Sequence, residues 1–209
     1  MSVVWRMGLG GVAALAGIAG LGFLGHRLFR AQAPKVQQVM ATRQLARESQ
    51  QRLAEFMAQL RNQTTVDLSA KNLGDEGFAY IVDSLSFNER CAAADFSKNG
   101  IGAAGAAQLC QALGSNTALQ SLLLDTNALG DEGAAALAAA LAGGSRLKTL
   151  NLSGNNVGDA GAAALAGALR GNTTLEALEL NGNVIDYEGV AALAEALAEN
   201  ESLKTLGLR

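Results

Sequence analysis

The sequence predicts an α/β fold: a curved solenoid of 28-residue strand-helix repeats with parallel strands on the concave face, preceded by an amino-terminal hydrophobic helix and an amphipathic helix. Three observations predict it. Gly77, Gly105, Gly133, Gly161 and Gly189 stand 28 residues apart without an insertion. Leucines recur in one frame around them, Leu119-x-x-Leu122-x-Leu124-x-x-Asn127, with copies ending at Asn155 and Asn183 and a last Leu203-x-x-Leu206-x-Leu208 that breaks off at Arg209. Leucines four apart then follow, Leu109/Leu113, Leu137/Leu141, Leu165/Leu169 and Leu193/Leu197, which is the spacing of one helical face.

Residues 1–34 form the first element. Met7 to Gly25 is a run of nineteen residues without a charge. A helix rising about 1.5 Å per residue needs ~20 residues to cross the hydrocarbon core, so this run predicts a single transmembrane anchor. Trp5 and Arg6 precede it, and His26, Arg27, Arg30 and Lys35 follow. The heavier positive flank places the solenoid in the cytosol or the mitochondrial matrix, and the mitochondrial membrane is favoured. A secretory signal, a transit peptide and a buried helix compete with the anchor. Basic residues after the run speak against the signal, and an apolar surface all round speaks against an amphipathic transit helix, although no acid precedes Glu48. Ala13/Gly17 and Ala16/Gly20 have the small-xxx-small spacing that lets this helix pack closely against another.

After Pro34, residues 35–62 read as an amphipathic helix. Leu53, Phe56, Met57 and Leu60 fall at i, i+3, i+4 and i+7. Either the helix caps the open end of the solenoid or it is a linker stalk. The cap is preferred because the apolar stripe lies next to the first repeat.

Residues 63–209 are the solenoid. Leucines at alternating places mark a short strand with one buried face. Asn99, Asn127, Asn155 and Asn183 end the strands, where an amide with donors and acceptors can satisfy the turning backbone and stacked copies can run along the interior. Gly and Asp follow, as in Leu73-Gly74-Asp75, Leu129-Gly130-Asp131 and Val157-Gly158-Asp159. Glycine serves the tight turn and aspartate supplies an acceptor for the free N–H groups at the helix start. Alanines around the helix leucines allow close packing. No unit buries its leucine row alone, and five repeats and a fragment exceed the roughly three that such arrays need.

This frame resembles the ribonuclease-inhibitor-like class of leucine-rich repeats, shared by ribonuclease inhibitors, NOD-like receptor sensor domains and Ran GTPase-activating proteins. The resemblance implies the curved α/β solenoid with strands inside and helices outside. It transmits no function, since members share architecture and differ in what they bind. The sequence departs from the frame in places. The first repeat has Lys71 where others have Asn, the second has Cys91, Ala94 and Phe96 in leucine places, and the fifth has Asp186-Tyr187 where Gly-Asp is expected. Leu206 and Leu208 have no unit after them and form a candidate docking edge.

Residues between the strand leucines point to the concave surface. The candidate protein-binding residues there are Asp67, Asp95, Leu123, Asp125, Asn151, Glu179 and Asn181. This surface is mostly polar, mildly acidic and without aromatic anchors. It reads either as an ordinary solvated face or as a weak docking face for a basic partner.

Charge is segregated along the chain. Residues 1–62 hold eight Lys/Arg and two Glu, net +6, while residues 63–209 hold eight Lys/Arg and seventeen Asp/Glu, net −9. The solenoid therefore lacks the clustered cations that nucleic acid requires. Two cysteines make no disulfide framework. Asn62-Gln-Thr, Asn151-Leu-Ser, Asn172-Thr-Thr and Asn200-Glu-Ser match the glycosylation sequon, and all four read as chance matches.

Nothing predicts an enzyme or a cofactor. The one histidine is His26, no Cys/His cluster has zinc spacing, and no Gly-rich stretch carries the Lys-Ser/Thr of a phosphate loop. The sequence therefore predicts a membrane-anchored interaction module or scaffold, an accessory subunit of an organelle membrane complex whose protein partner is unnamed. The alternative is a regulator of a small GTPase, resembling the Ran activators.

Overall fold

The computed structural model describes residue 44 and residues 47–86 and 88–209. The expected transmembrane run lies outside the described residues, as do Pro34 and the start of the amphipathic segment. The chain divides into two compact units, residues 1–50 and 51–209. Within the first, residues 47–50 are helical.

The second unit begins in helix α1, which runs through residues 51–62. Six strands then alternate with five helices: β1 (Thr65–Asp67), α2 (Gly74–Leu85), β2 (Ala93–Asp95), α3 (Ala103–Ser115), β3 (Ser121–Leu123), α4 (Gly130–Ala142), β4 (Thr149–Asn151), α5 (Asp159–Gly171), β5 (Ala177–Glu179), α6 (Tyr187–Glu199) and β6 (Thr205–Gly207). The strands form one sheet in chain order, every pair parallel. Val66, Ala94, Leu122, Leu150, Leu178 and Leu206 lie in register, so each step along the sheet is one 28-residue period.

The core lies between sheet and helices. Leu122, Leu150 and Leu178 from the strands meet Leu109, Leu137, Leu165 and Leu193 from the helices, all fully buried. Each such side chain contributes roughly 1.5–3 kcal/mol when removed from water. The irregular second repeat fills the same volume with other shapes. Ala94 is small, but Phe96 takes a leucine place and meets Phe78 edge-on, with ring centroids 5.0 Å apart at 80°. At the amino-terminal end Leu60 is fully buried, and Leu53 and Phe56 pack partly buried on the same core. The Leu60 carbonyl accepts the Asn88 side-chain N–H at 2.6 Å. Residues 51–62 thus take the position of a preceding repeat helix.

Polar groups at fixed places clip each repeat to its neighbour. The turn asparagines do so as the sequence suggests: Asn99, Asn127, Asn155 and Asn183 donate to the carbonyls of Leu68, Phe96, Leu124 and Leu152, each in the preceding repeat. The Asn127 side-chain oxygen accepts the Asn99 and Ile101 N–H groups, both at 3.0 Å.

The aspartates at the helix starts act differently from the expectation. Asp75 accepts from Gly102 (2.7 Å) and Gly105 (3.1 Å), which begin the helix of the next repeat. Asp131 likewise reaches Gly158 and Gly161, and Asp159 reaches Asp186 and Gly189. The strand-to-helix turns stack side by side, so the nearest orphan N–H groups belong to the neighbour. At three of the five 28-residue glycines this contact, together with the Ile101, Val157 or Ile185 side chain four residues back, leaves no room for a Cβ, while at Gly133 the Leu129 side chain alone crowds it at 2.8 Å. A Cβ at Gly105, Gly161 or Gly189 would meet the capping carboxylate at 2.7, 2.7 and 2.6 Å, whereas one at Gly77, in the first repeat, would meet nothing closer than 3.6 Å.

A second asparagine set, not recognised in the sequence, stands where helices end. Asn88, Asn116, Asn172 and Asn200 each accept two backbone N–H groups of their own turn through the side-chain oxygen. Through the side-chain nitrogen they donate to Leu60, Leu85, Leu141 and Leu169 of the preceding helix. Two of the four chance sequons, at Asn172 and Asn200, are therefore members of this set.

One recurrent backbone position, after the strand, lies in the left-handed region in repeat after repeat: Ala70 (φ 54°), Lys98 (58°), Thr126 (55°), Gly154 (65°) and Gly182 (66°). Glycine adopts this at no steric cost, and a β-branched residue is the least suited to it. Thr126→Gly is expected to raise unfolding stability by ~0.5–1 kcal/mol, read as a higher midpoint in denaturant, and Gly154→Thr to lower it.

Candidate functional site

With the strand leucines inward, the alternate residues stand on the outer face of the sheet. Register makes them columns. One holds Asp67, Asp95, Leu123, Asn151, Glu179 and Gly207, and its neighbour toward the strand start holds Thr65, Ala93, Ser121, Thr149, Ala177 and Thr205. The residues two places further on are Ser69, Ser97, Asp125, Ser153, Asn181 and Arg209. Asp67 is exposed, and Asp95, Leu123, Asp125, Asn151, Glu179 and Asn181 are half-buried. The structure thus brings all seven candidate residues onto one surface.

Short polar residues beside the acids hold them in place. The Asp67 carboxylate accepts both the backbone N–H (2.9 Å) and the hydroxyl (2.6 Å) of Ser69, and these bonds hold its carboxyl below the usual carboxylate range. Asp95 accepts the Ser97 N–H at 2.9 Å. The buried Ser97 hydroxyl reaches across to Asp125 at 2.6 Å. Farther along, Asn151 accepts from Ser153, and the Asn181 amide donates to Glu179 at 2.8 Å. The Glu179 carboxylate fills the space a Cβ of Gly207 would take.

Charge divides this face into two parts. Asp67 and Asp95 are direct register partners, about 4.8 Å apart by strand spacing, and Asp125 lies two residues beyond the end of β3. No Lys or Arg stands in these columns before Arg209, although the charge of Lys71, four residues after Asp67, also helps to lower the Asp67 carboxyl. The β4–β6 side neutralises itself at its margin, where Glu176 accepts from Lys204 at 2.6 Å and faces Lys148 at 3.8 Å. The hydrogen bond and charge of Lys204 pull the Glu176 carboxyl down. Like charges directly opposite destabilise a sheet, so the β1–β3 side gains from any cation brought to it.

Leu206 on β6 pairs with Leu178, and Leu206 and Leu208 are half-buried against the core. Near them Val184, Tyr187 and Val190 are exposed, and Tyr187, in the place of the capping aspartates, is 85% exposed. A second concavity of about 560 Å³ opens on the helix side between α2 and α3, lined by Asp75, Glu76, Tyr80 and Gln108. The thiols of Cys91 and Cys110 are both pushed up by burial, the reverse of an activated nucleophile.

A family model described as Leucine Rich repeat matches residues 115–138, 146–166 and 171–194. The repeats of this chain are leucine-rich repeats. Among solved structures, the tropomodulin C-terminal domain from Caenorhabditis elegans is similar at 16% identity and a TM-score of 0.55, over 70% of this chain and 92% of that one. A leiomodin-1 structure titled Actin-Binding Site 2 is similar at 18% identity and a TM-score of 0.47, over 75% and 76%. The first likeness shows the fold alone. No curated protein matches the sequence.

Because Ser69 supplies the bonds that lower the Asp67 carboxyl, Ser69→Ala is expected to move its titration midpoint upward, followed by NMR of the side-chain carboxyl. The sign follows from linkage. A lowered carboxyl contributes stability that is present above its unfolded value and lost as pH falls through its folded one, so the variant, with its folded value closer to the unfolded one, has a smaller contribution at neutral pH and loses less on acidification.

Proposed function

We propose that this leucine-rich-repeat protein is a non-catalytic docking module that receives a basic segment of a partner protein on the β1–β3 side of its sheet face, and that Met7–Gly25 tethers it to a membrane. The observation that carries the docking site is the row Asp67, Asp95 and Asp125, held outward by serines with no cation in its columns. Such a row, in which Lys71 acts on Asp67 but no cation stands in the columns, attracts a basic partner over roughly a Debye length, ~8 Å at physiological salt, and lies where few long side chains must be ordered on contact. The polar surface without aromatic anchors fits modest affinity, strengthened when module and partner are held on the same membrane.

What supports the tether is the sequence: nineteen uncharged residues with basic residues after them. That flank leaves the solenoid on the cytosolic or matrix side, as an accessory subunit of a membrane complex, with a mitochondrial membrane preferred.

The test is affinity purification of the tagged full-length chain from membranes. The triple variant Asp67→Asn/Asp95→Asn/Asp125→Asn should recover the partner at least ~10-fold less well, and added salt should weaken the parent's recovery. Glu195→Gln/Glu199→Gln, on the helix side, should recover it like the parent. Equal recovery by the triple variant overturns the docking site. Carbonate extraction tests the tether separately, with retention in the membrane pellet expected; release into the soluble fraction removes it.

A further inference from the structure

We infer that the junction between the second and third repeats is the joint at which the solenoid opens, so that the segment from β1 to α3 and the segment from β3 onward unfold as separate cooperative units. Three kinds of side-chain clip hold neighbouring repeats: the aspartate cap, the turn asparagine and the helix-end asparagine. Between the first and second repeats all three are made, by Asp75, Asn99 and Asn116. Between the third and fourth they are made by Asp131, Asn155 and Asn172. Between the fourth and fifth they are made by Asp159, Asn183 and Asn200.

At the junction of the second and third repeats the 28-residue frame puts Ala103 in the aspartate place and Gly144 in the helix-end asparagine place. Only the turn clip remains of the three, through Asn127, together with the Ser97–Asp125 bond on the sheet face and a backbone bridge in which the Ala128 N–H donates to the Ile101 carbonyl at 2.8 Å. The local backbone shows the consequence at both ends of α4. Without a carboxylate to receive it, the Gly130 N–H turns to the Asn155 carbonyl (3.0 Å) and Gly130 takes φ 59°, where Gly102 and Gly158, with their aspartates, stay extended. At the other end α4 stops on Gly143 and on Gly144 with φ 86°, in place of the extended asparagine that ends α3, α5 and α6. The Ser145 hydroxyl beside it is buried without a partner.

The leucine rows run through this junction unbroken, so the fold is continuous across it. In a stacked array, however, each unit is stabilised by its own structure and by its two neighbours, and the loss of two clips lowers the coupling at this junction even though α3 packs on α4 more closely than α2 does on α3.

Hydrogen exchange of the full-length chain, read by mass spectrometry, tests this. Amides of α2 and α3 should form one class, exchanging at least ~10-fold faster than those of α4 and α5, with the step falling between α3 and α4. A single class across all four helices, or protection rising evenly inward from β1 without that step, overturns the joint. Ala103→Asp/Gly144→Asn restores both clips and should slow α2 and α3 by ~10-fold or more, merging the classes, because each added buried hydrogen bond is worth about fivefold. An unchanged step in that folded variant overturns the proposal. Should it not fold, the parent measurement decides, together with Asp131→Ala/Asn172→Ala. Removing those clips should introduce a second step between α4 and α5, and its absence counts against the clips as the source of coupling.

Discussion

Each repeat in this solenoid satisfies backbone groups that its neighbour cannot satisfy for itself. A helix start presents free N–H groups, a helix end presents free carbonyls, and a strand-end turn presents both. Here the partners come mainly from 26–31 residues away: a carboxylate at the start of one helix accepts from the start of the next, and asparagine amides donate to carbonyls one repeat back. This works only if strands, turns and helices keep one register throughout. An insertion in one repeat would shift its clips away from their acceptors, so the constant spacing is a geometric requirement of the stack.

The constraint explains details that otherwise look unrelated. At Gly105, Gly161 and Gly189 the capping carboxylate and an apolar side chain four residues back together leave no room for a Cβ, and glycine at 130, without a carboxylate to receive its N–H, adopts a positive φ. Ala103 is therefore felt 27 residues later, at Gly130. Apolar packing tolerates more variation. Phe96 and Phe78 rebuild the core of the second repeat with aromatic rings, and all core positions there remain buried. Hydrophobic burial accepts any shape that fills the space, whereas a cap needs an oxygen at one point.

Interior and surface obey different rules within the same strand. The inward residues are nearly uniform, and the outward ones vary: aspartates on the first two strands, leucine on the third, then asparagine and glutamate. The fold does not require acids at 67, 95 and 125, and Asp67 with Asp95 places like charges in register. Serine hydrogen bonds hold these carboxylates without neutralising them, and Lys71 adds its charge beside Asp67.

How much was legible in the sequence follows the range of the interactions. The 28-residue period, the leucine strands, the helix faces and the turn asparagines were all readable, because each leaves a repeated residue in a fixed frame. The outward columns were readable too, since side chains alternate along any strand. Two features were not. The aspartates were expected to serve at their own helix start, and they serve the next one; spacing along a chain does not say which neighbouring turn lies closer in space. Asn88, Asn116, Asn172 and Asn200 also recur in frame, but they stand beside polar loop residues and two of them sit inside sequons, so nothing local marked them as structural. By itself the sequence determined the repeat unit and its buried face, which follow from local periodicity. Only the tertiary structure decided which repeat each polar group serves, because a hydrogen bond joins whatever stacking brings within about 3 Å.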